Sequence, residues 1–263
     1  MELPDLKGKV AVVTGGGSGI GRAIADGFAA QGVRVAVLGR TPERLAAAAA
    51  SITGRGGEAF PVTCDVSDED QVQRAVAAVG DRFGPIDVLV NNAGFGPDQP
   101  ARVTDLELPE WNRVLATTLT GTMLMSKHVA RIMTARRDGA IVNVTSLAGK
   151  LPRVGMAPYC AAKAGAEHLT RVLALELAAD HIRVNAVSPG TTRTEHLDGH
   201  LGDAGASYDE RVAGSLARFR SPIILGRVSD PEDQAEAVLF MASAAAGFIT
   251  GQILYVDGGA GII

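Results

Sequence analysis

The sequence predicts an α/β domain in which helices cover both faces of a largely parallel sheet. Three observations predict it. Short apolar runs alternate with longer stretches of helical periodicity along the chain. The runs are nearly continuous in Val, Ile, Leu and Ala, as strands buried on both faces of a parallel sheet are. A glycine-rich turn, Gly15 to Gly21, joins the first run to the first helical stretch.

Val10–Val13 is a β-branched first strand, and Ile24, Ala25 and Phe28 then share one face of a helix over Gly21–Gln31. Val33–Leu38 is the second strand. Thr41 and Pro42 open the next helix as N-cap and first helical residue. Ala59–Val62 is the third strand, with a helix from about Ser67, and Ile86–Val90 is the fourth. Two helical stretches cover about Asp105 to Met133, and Ala140–Val144 is the fifth strand. A long helix, Ala157–Ala178, leads to the sixth strand, Ile182–Val187. Pro231–Ser243 reads as a helix and Gln252–Val256 as the last strand. Only Thr191 to Pro222 breaks the rhythm, with scattered glycines, mixed charges and two histidines. A connection of that length reads as a substrate lid.

With 263 residues, 46% hydrophobic and 21% charged, the chain is long and apolar enough for one large core, so residues 1–263 are expected to form a single domain. Its net charge of −4 and 4% aromatic content leave no electrostatic or stacking footprint for a nucleic acid. The two cysteines, Cys64 and Cys160, match neither a disulfide framework nor a metal motif. The longest apolar run, Ala237 to Ile249, is too short to span a bilayer, and Met1 to Lys9 has no apolar leader pattern. The expectation is a cytoplasmic protein with neither membrane nor metal.

The glycine turn reads Thr14-Gly15-Gly16-Gly17-Ser18-Gly19-Ile20-Gly21. Between a strand and a helix, such a turn lets backbone approach a pyrophosphate at the helix N-terminus. Its Thr-Gly-x-x-x-Gly-x-Gly spacing resembles the short-chain dehydrogenase/reductase family. Four further motifs follow in order: Asn91-Asn92-Ala93-Gly94, Tyr159-x-x-x-Lys163, Pro189-Gly190-Thr191-Thr192-Arg193-Thr194, and Gly251-Gln252 through Asp257-Gly258-Gly259. Ser146 lies 13 positions before Tyr159, the spacing of that family's catalytic serine. The resemblance spans nearly the whole chain. It implies a Rossmann-type, doubly wound sheet of seven parallel strands in the order 3-2-1-4-5-6-7.

The resemblance also implies a nicotinamide dinucleotide. NAD users of the family place an acid at the end of strand two, where this chain has Gly39 followed by Arg40. A guanidinium grips a 2′-phosphate that a carboxylate would repel, so NADP(H) is favoured, with NAD(H) the alternative. The family's contacts fall on Gly15, Gly17, Ser18, Gly19, Ile20 and Gly21 at the pyrophosphate, and on Asp65 and Val66 at the adenine. Asn91, Ala93 and Gly94 fall along the adenosine ribose, and Pro189, Gly190, Thr192 and Thr194 near the nicotinamide. The alternative for Thr194 is a local turn bonding only its own backbone.

Tyr159 and Lys163 lie at i and i+4 on the long helix and share a face. A free phenol titrates near 10, and a nearby ammonium together with an oxidised nicotinamide ring is expected to lower it into use as a general acid/base. Ser146 is expected to hydrogen-bond the same substrate oxygen. One position departs from the family. Thr118 stands where an Asn is usual, in Thr117-Thr118-Leu119-Thr120-Gly121. It either substitutes in part or weakens the proton relay.

Weaker signals remain. His196 and His200 lie four apart beside acids, but Gly199 spoils a helical ligand pair, so no metal is expected. Arg131, Arg136 and Arg137 are a solvated helix end or a dock for an acidic carrier. Leu147, Ala148, Leu151, Val154 and Phe95 predict an apolar substrate wall, unless Arg193, Arg211 or Arg218 enters from the lid. The expected function is interconversion of a ketone, or a 3-oxoacyl-like carbonyl, and a secondary alcohol on a small molecule. Alternatives are an NAD-linked sugar, steroid or diol dehydrogenase, and a nucleotide sensor or scaffold that has lost the chemistry. The family commonly forms homotetramers, and the apolar tail Ala260–Ile263 suits burial in one.

Overall fold

The computed structural model describes residues 2–195, 197–198, 207–215 and 220–262. Strand β1, Val10–Thr14, is buried throughout and alternates by face: Ala11 and Val13 enter one core, Val10 and Val12 the other. It pairs in parallel with β2, Arg34–Gly39, on one side and β4, Val88–Asn91, on the other. With β3 (Glu58–Thr63), β5 (Gly139–Val144), β6 (Ile182–Pro189) and β7 (Ile253–Val256), they form a seven-stranded parallel sheet of order β3-β2-β1-β4-β5-β6-β7.

Each connection is a helix whose apolar face closes one core. On one side lie α1 (Gly19–Ala30), through Ile24 and Phe28, and α2 (Pro42–Gly54), through Leu45 and Ile52. The other side takes α3 (Glu69–Phe83), α5 (Gly121–Arg136) and α6 (Ala157–Leu177). Ile24 and Phe28 are fully buried, which contributes roughly 1.5–3 kcal/mol each. Between β4 and α5 runs α4, Leu108–Leu115; after β6 come the short α7, Tyr208–Ala213, and α8, Pro231–Ala242, which packs on α1. No helix among the described residues is long and apolar enough to cross a membrane.

Two expectations are adjusted. The third strand is not buried on both faces: it is the sheet edge, bonded only to β2, which is why Pro61 is tolerated within it. Thr41 occupies the N-cap of α2, yet its hydroxyl makes no cap bond. The order of the sheet reverses at β1 and β4, so a crevice opens beyond their C-terminal ends, where such sheets bind ligands.

Candidate active site

β1 ends on Thr14, and its hydroxyl ties the glycine turn to the neighbouring strand. Thr14 Oγ1 donates to the Val90 carbonyl at 3.3 Å and accepts from the Asn92 and Ala93 amides at 2.9 and 3.0 Å. Asn92 Nδ2 returns a bond to the Thr14 carbonyl at 3.0 Å. Sequence reasoning assigned neither Thr14 nor Asn92 a role, although both sit inside the quoted motifs. Gly15 takes a φ of +66°, and a Cβ on Gly21 would lie 2.2 Å from the Gly15 carbonyl oxygen. The turn is therefore pressed directly onto the start of α1. Ser18 is the N-cap of α1 but makes no side-chain cap bond, so it does not occupy the first-turn amides that a phosphate would use. This cradle of main chain without side chains fits a dinucleotide pyrophosphate.

Beyond β2, a Cβ on Gly39 would touch only Leu45, at 3.4 Å, so this position is roomy. Arg40 is exposed, with its guanidinium 5.4 Å from the centre of the Phe95 ring; Arg113 stacks on the same ring at 4.4 Å. Phe95, expected in the substrate wall, braces both arginines. Asp65 is fixed by Ser67, whose amide and hydroxyl donate to Oδ1 at 2.9 and 2.6 Å. Val66 packs where a Gly121 side chain would go. The Asn91 side chain turns into the core, donating to Ser126 Oγ at 3.0 Å and Asn143 Oδ1 at 2.9 Å. It has only main chain to offer a ligand in the crevice.

Past β5, Ser146 caps the short turn Leu147–Gly149, its Oγ accepting from the Ala148 amide at 3.2 Å, and its hydroxyl bears on the Tyr159 phenol. Lys163, one turn along α6 from Tyr159, is buried and donates from Nζ to the Val144 carbonyl at 2.7 Å. Its ammonium lies 5.7 Å from the centre of the Tyr159 ring. Burial pulls Lys163 down to about 8, while the Glu167 carboxylate pulls the other way. The lowered phenol expected from the lysine is not found in the protein's own groups. Burial raises Tyr159 above its ordinary value, and the nearby Ser146 hydroxyl and the Arg153 charge only partly oppose it. Glu167, a further turn along and also buried, accepts from Thr145 Oγ1 at 3.4 Å and Tyr255 OH at 3.3 Å. Burial raises its carboxyl above the usual range.

With Ser146, Tyr159 and Lys163 gathered at the end of β5 beside the glycine turn, comparison with known proteins decides the family. The family profile described as enoyl-(acyl carrier protein) reductase matches residues 15–261. The 2,3-dihydro-2,3-dihydroxybenzoate dehydrogenase of Bacillus subtilis is 39% identical over 262 residues, 99% of this chain and 98% of its own. The cis-4-hydroxycyclohexanecarboxylate dehydrogenase of Sinomonas cyclohexanicum is 43% identical over 251 residues, 95% and 96% of the two chains. A crystal structure of a short-chain type dehydrogenase/reductase from Mycobacterium marinum superposes with a TM-score of 0.88 at 37% identity, covering 98% of this chain and 97% of that one. The chain is a short-chain dehydrogenase/reductase. As a member of that family it is an NAD(P)-dependent oxidoreductase acting on alcohol and carbonyl groups, which sets aside the sensor and scaffold readings.

The glycine turn, Asn91–Gly94, Ser146, Tyr159–Lys163 and Pro189–Thr194 all lie at or beyond the C-terminal ends of the strands. At Thr118 the helical path widens into a π turn, Ala116–Thr120, between α4 and α5. Thr118 Oγ1 lies 3.4 Å from both the amide and the carbonyl of Phe95, and the Thr118 carbonyl accepts from Thr122 Oγ1 at 3.0 Å. A Cβ on Gly94 would lie 3.2 Å from the Thr118 hydroxyl and 3.4 Å from Lys163 Nζ, so these three positions converge. The π turn forms here without the usual Asn, with the Thr118 hydroxyl against Phe95 and its carbonyl taken by Thr122.

Pro189 ends β6, and Gly190 lies against Asp257, whose Cα would be 2.7 Å from an added Cβ. The Thr192 hydroxyl is engaged with Ser229 Oγ at 2.8 Å. Thr194 Oγ1 accepts from the Leu197 amide at 3.2 Å, the local turn weighed for it, and its methyl lies over Gly19. Within the predicted lid, residues 196, 199–206 and 216–219 lie outside the described residues, and with them His196, Gly199, His200 and Arg218. Among the described residues no group of three metal-ligating side chains occurs. Arg136 and Arg137 pair with Asp87 and Asp180, as a solvated helix end does.

Proposed function

We propose that this enzyme uses NADP(H) to interconvert a ketone or 3-oxoacyl-like carbonyl and a secondary alcohol, with Tyr159 as the general acid/base. The observation that carries the reading is the gathering of Ser146, Tyr159 and buried Lys163 at the end of β5, with the Lys163 ammonium 5.7 Å from the centre of the Tyr159 ring. In reduction the Tyr159 hydroxyl gives its proton to the substrate oxygen, while Ser146 donates to that oxygen as negative charge builds on it. In oxidation Tyr159 takes the proton back. Lys163 supplies the positive charge that offsets the cost of a buried phenolate. The dinucleotide, when bound, supplies the hydride or receives it.

Gly15, Gly17, Ser18, Gly19, Ile20 and Gly21 would hold the pyrophosphate, Asp65 and Val66 the adenine, and the main chain of Asn91, Ala93 and Gly94 the ribose. Pro189, Gly190, Thr192 and Thr194 would border the nicotinamide, with Thr192 contributing main chain because its hydroxyl is engaged. Gly39 and Arg40 favour a 2′-phosphate by space and charge. Thr118 contributes its hydroxyl beside Lys163 in place of the family's Asn. The exposed Val172 and Leu175 on α6, Met123 on α5 and half-buried β7 support a homotetramer. The 191–222 segment would border the substrate.

Tyr159→Phe tests the reading. Turnover of a panel of ketones and secondary alcohols, followed at the nicotinamide absorbance, should fall by about a thousandfold or more, with NADPH binding retained. A variant that keeps its rate sinks the assignment. A strong preference for NADH in kcat/KM would overturn the cofactor choice.

A further inference from the structure

The face that α6 turns to the end of β5 carries a buried carboxylate that the proposed chemistry does not use. Four consecutive residues, Asn143 to Ser146, each meet a different residue of that helix. Asn143 Nδ2 donates to Thr170 Oγ1 at 2.9 Å, and the Val144 carbonyl accepts from Lys163 Nζ at 2.7 Å. Thr145 Oγ1 lies 3.4 Å from Glu167 Oε1, and the Ser146 hydroxyl bears on the Tyr159 phenol. Tyr159, Lys163 and Glu167 are successive i, i+4 positions and so form one stripe along the helix.

The contacts of Glu167 reach beyond β5. Ser188, one residue before the end of β6, donates to the same Oε1 at 3.5 Å, and Tyr255 of β7 donates to Oε2 at 3.3 Å. Glu167, Thr145 and Ser188 are all buried, where a carboxylate is costly unless polar groups answer it. One helical residue thus gathers the C-terminal ends of three strands, and each strand there runs into the site. Ser146 follows Thr145, Pro189 follows Ser188, and Asp257, two residues past Tyr255, is packed on Gly190. The turn Leu147–Gly149 rests at the same point. A Cβ on Gly149 would lie 3.0 Å from the Lys163 carbonyl carbon and 3.1 Å from Glu167 Oε1. That turn also holds Ser146, whose Oγ accepts from the Ala148 amide at 3.2 Å.

We propose that Glu167 is a positioning residue for the catalytic centre: its carboxyl group seats the turn that carries Ser146, and the ends of β6 and β7, on the helix that carries Tyr159 and Lys163. The inference rests on the reading of Ser146, Tyr159 and Lys163 as that centre. Ser146 comes from the sheet and Tyr159 from the helix, so the distance between them depends on how the strand ends are held against α6. Glu167 acts on that distance through the turn and not on the substrate. A misplacement of about 1 Å between reacting groups can cost about a hundredfold in rate. An apolar residue in its place would leave the Ser188 and Tyr255 hydroxyls without this acceptor and the turn without its seat.

Three variants of the full chain test it. Glu167→Met removes the acceptor and keeps an unbranched side chain, and Glu167→Gln restores one oxygen. Tyr255→Phe deletes one donor and keeps the ring that Lys150 Nζ faces at 4.9 Å. With the panel ketone that wild type reduces fastest, kcat should fall about tenfold or more in Glu167→Met, while KM for NADPH stays within about twofold. Glu167→Gln should stay within about threefold of wild type, and Tyr255→Phe should lose about threefold. Hydrogen–deuterium exchange of the amides of residues 147–151, read by mass spectrometry, should quicken about tenfold in Glu167→Met and little in Glu167→Gln. An unchanged kcat in Glu167→Met, a Gln variant as slow as the Met variant, or unchanged exchange in the turn overturns the proposal. Should Glu167→Met fail to fold, Tyr255→Phe decides, and a kcat equal to wild type overturns it. Exchange needs no substrate, so the two readings fail separately. If wild type turns over nothing in the panel while the turn loosens in Glu167→Met, the seat stands and the catalytic reading fails. If Tyr159→Phe abolishes turnover while Glu167→Met keeps its kcat, the positioning role fails alone.

Discussion

The ammonium of Lys163 donates to the main-chain carbonyl of Val144, the last residue of β5, at 2.7 Å. That bond keeps the lysine beside Tyr159 but out of water, and burial lowers it to about 8. Below pH 8 the amine is protonated in folded and unfolded chains alike, and the fold carries the full cost of burying the charge. Between about 8 and 10.5 the folded chain has shed a proton that the unfolded chain still holds. The unfolded state then binds more protons, so this group's contribution to stability rises with pH across that window. Lys163→Met removes the effect. Wild type should gain on the variant by up to about 3 kcal/mol from pH 8 to 10.5, read from paired urea titrations. A difference flat in pH would refute the buried ammonium.

Arg40 and Gly39 should set the cofactor preference. The exposed Arg40 is braced on Phe95, itself stacked on Arg113. Arg40→Ala should raise KM for NADPH by about tenfold and leave KM for NADH within about a factor of two. Gly39→Asp meets only Leu45 on its way in and brings a carboxylate to the same place, so it should reverse the preference toward NADH. Phe95→Ala should fall between wild type and Arg40→Ala, because it removes the brace and keeps the charge. Unchanged kcat/KM ratios in all three would place the 2′-phosphate elsewhere.

Most of the fold was legible because it is written in local patterns. Continuous apolar runs gave the strands within a few residues, and the order of the sheet was implied by the family resemblance that the motifs carry. What escaped depends on contacts distant in sequence. Nothing in the motif Asn91-Asn92 indicates that the first side chain enters the core while the second grips Thr14 from 78 residues away. The direction of the Tyr159 shift escaped for a similar reason: helical spacing brings a charge near, but burial, a tertiary property, outweighs it. The π turn at Thr118 has no local marker at all, since the usual Asn is missing.

The buried polar chain between β4, β5 and α6 should be structural. Asn91 donates to Asn143 Oδ1 at 2.9 Å, and Asn143 Nδ2 donates to Thr170 Oγ1 at 2.9 Å. Asn143→Ala unpairs one N–H of the Asn91 side chain, removes the donor to the Thr170 hydroxyl and leaves a hole in the sheet, at a cost of about 2–4 kcal/mol. The urea midpoint should drop accordingly, with KM for NADPH changed less than about twofold if the crevice is intact. A large rise in KM with little loss of stability would make Asn143 a ligand contact instead.

The close approach of the glycine turn to α1 makes a sharper prediction, with an internal control. A methyl group on Gly21 would meet the Gly15 carbonyl oxygen at 2.2 Å and Asn92 Nδ2 at 2.4 Å, and the first of these is backbone that cannot swing aside. Gly21→Ala must push α1 away from the turn, which costs about 1–3 kcal/mol or more and spoils the cradle. NADPH affinity should fall at least about tenfold. Gly54, at the end of α2, has nothing within 4 Å of its added Cβ. Gly54→Ala should leave NADPH affinity unchanged and stabilise the protein by up to about 1 kcal/mol, since alanine loses less chain entropy in a helix. Thermal melts and fluorescence titration of both variants give the comparison. Equal behaviour of the two would show that the cradle does not depend on the approach of Gly21 to Gly15.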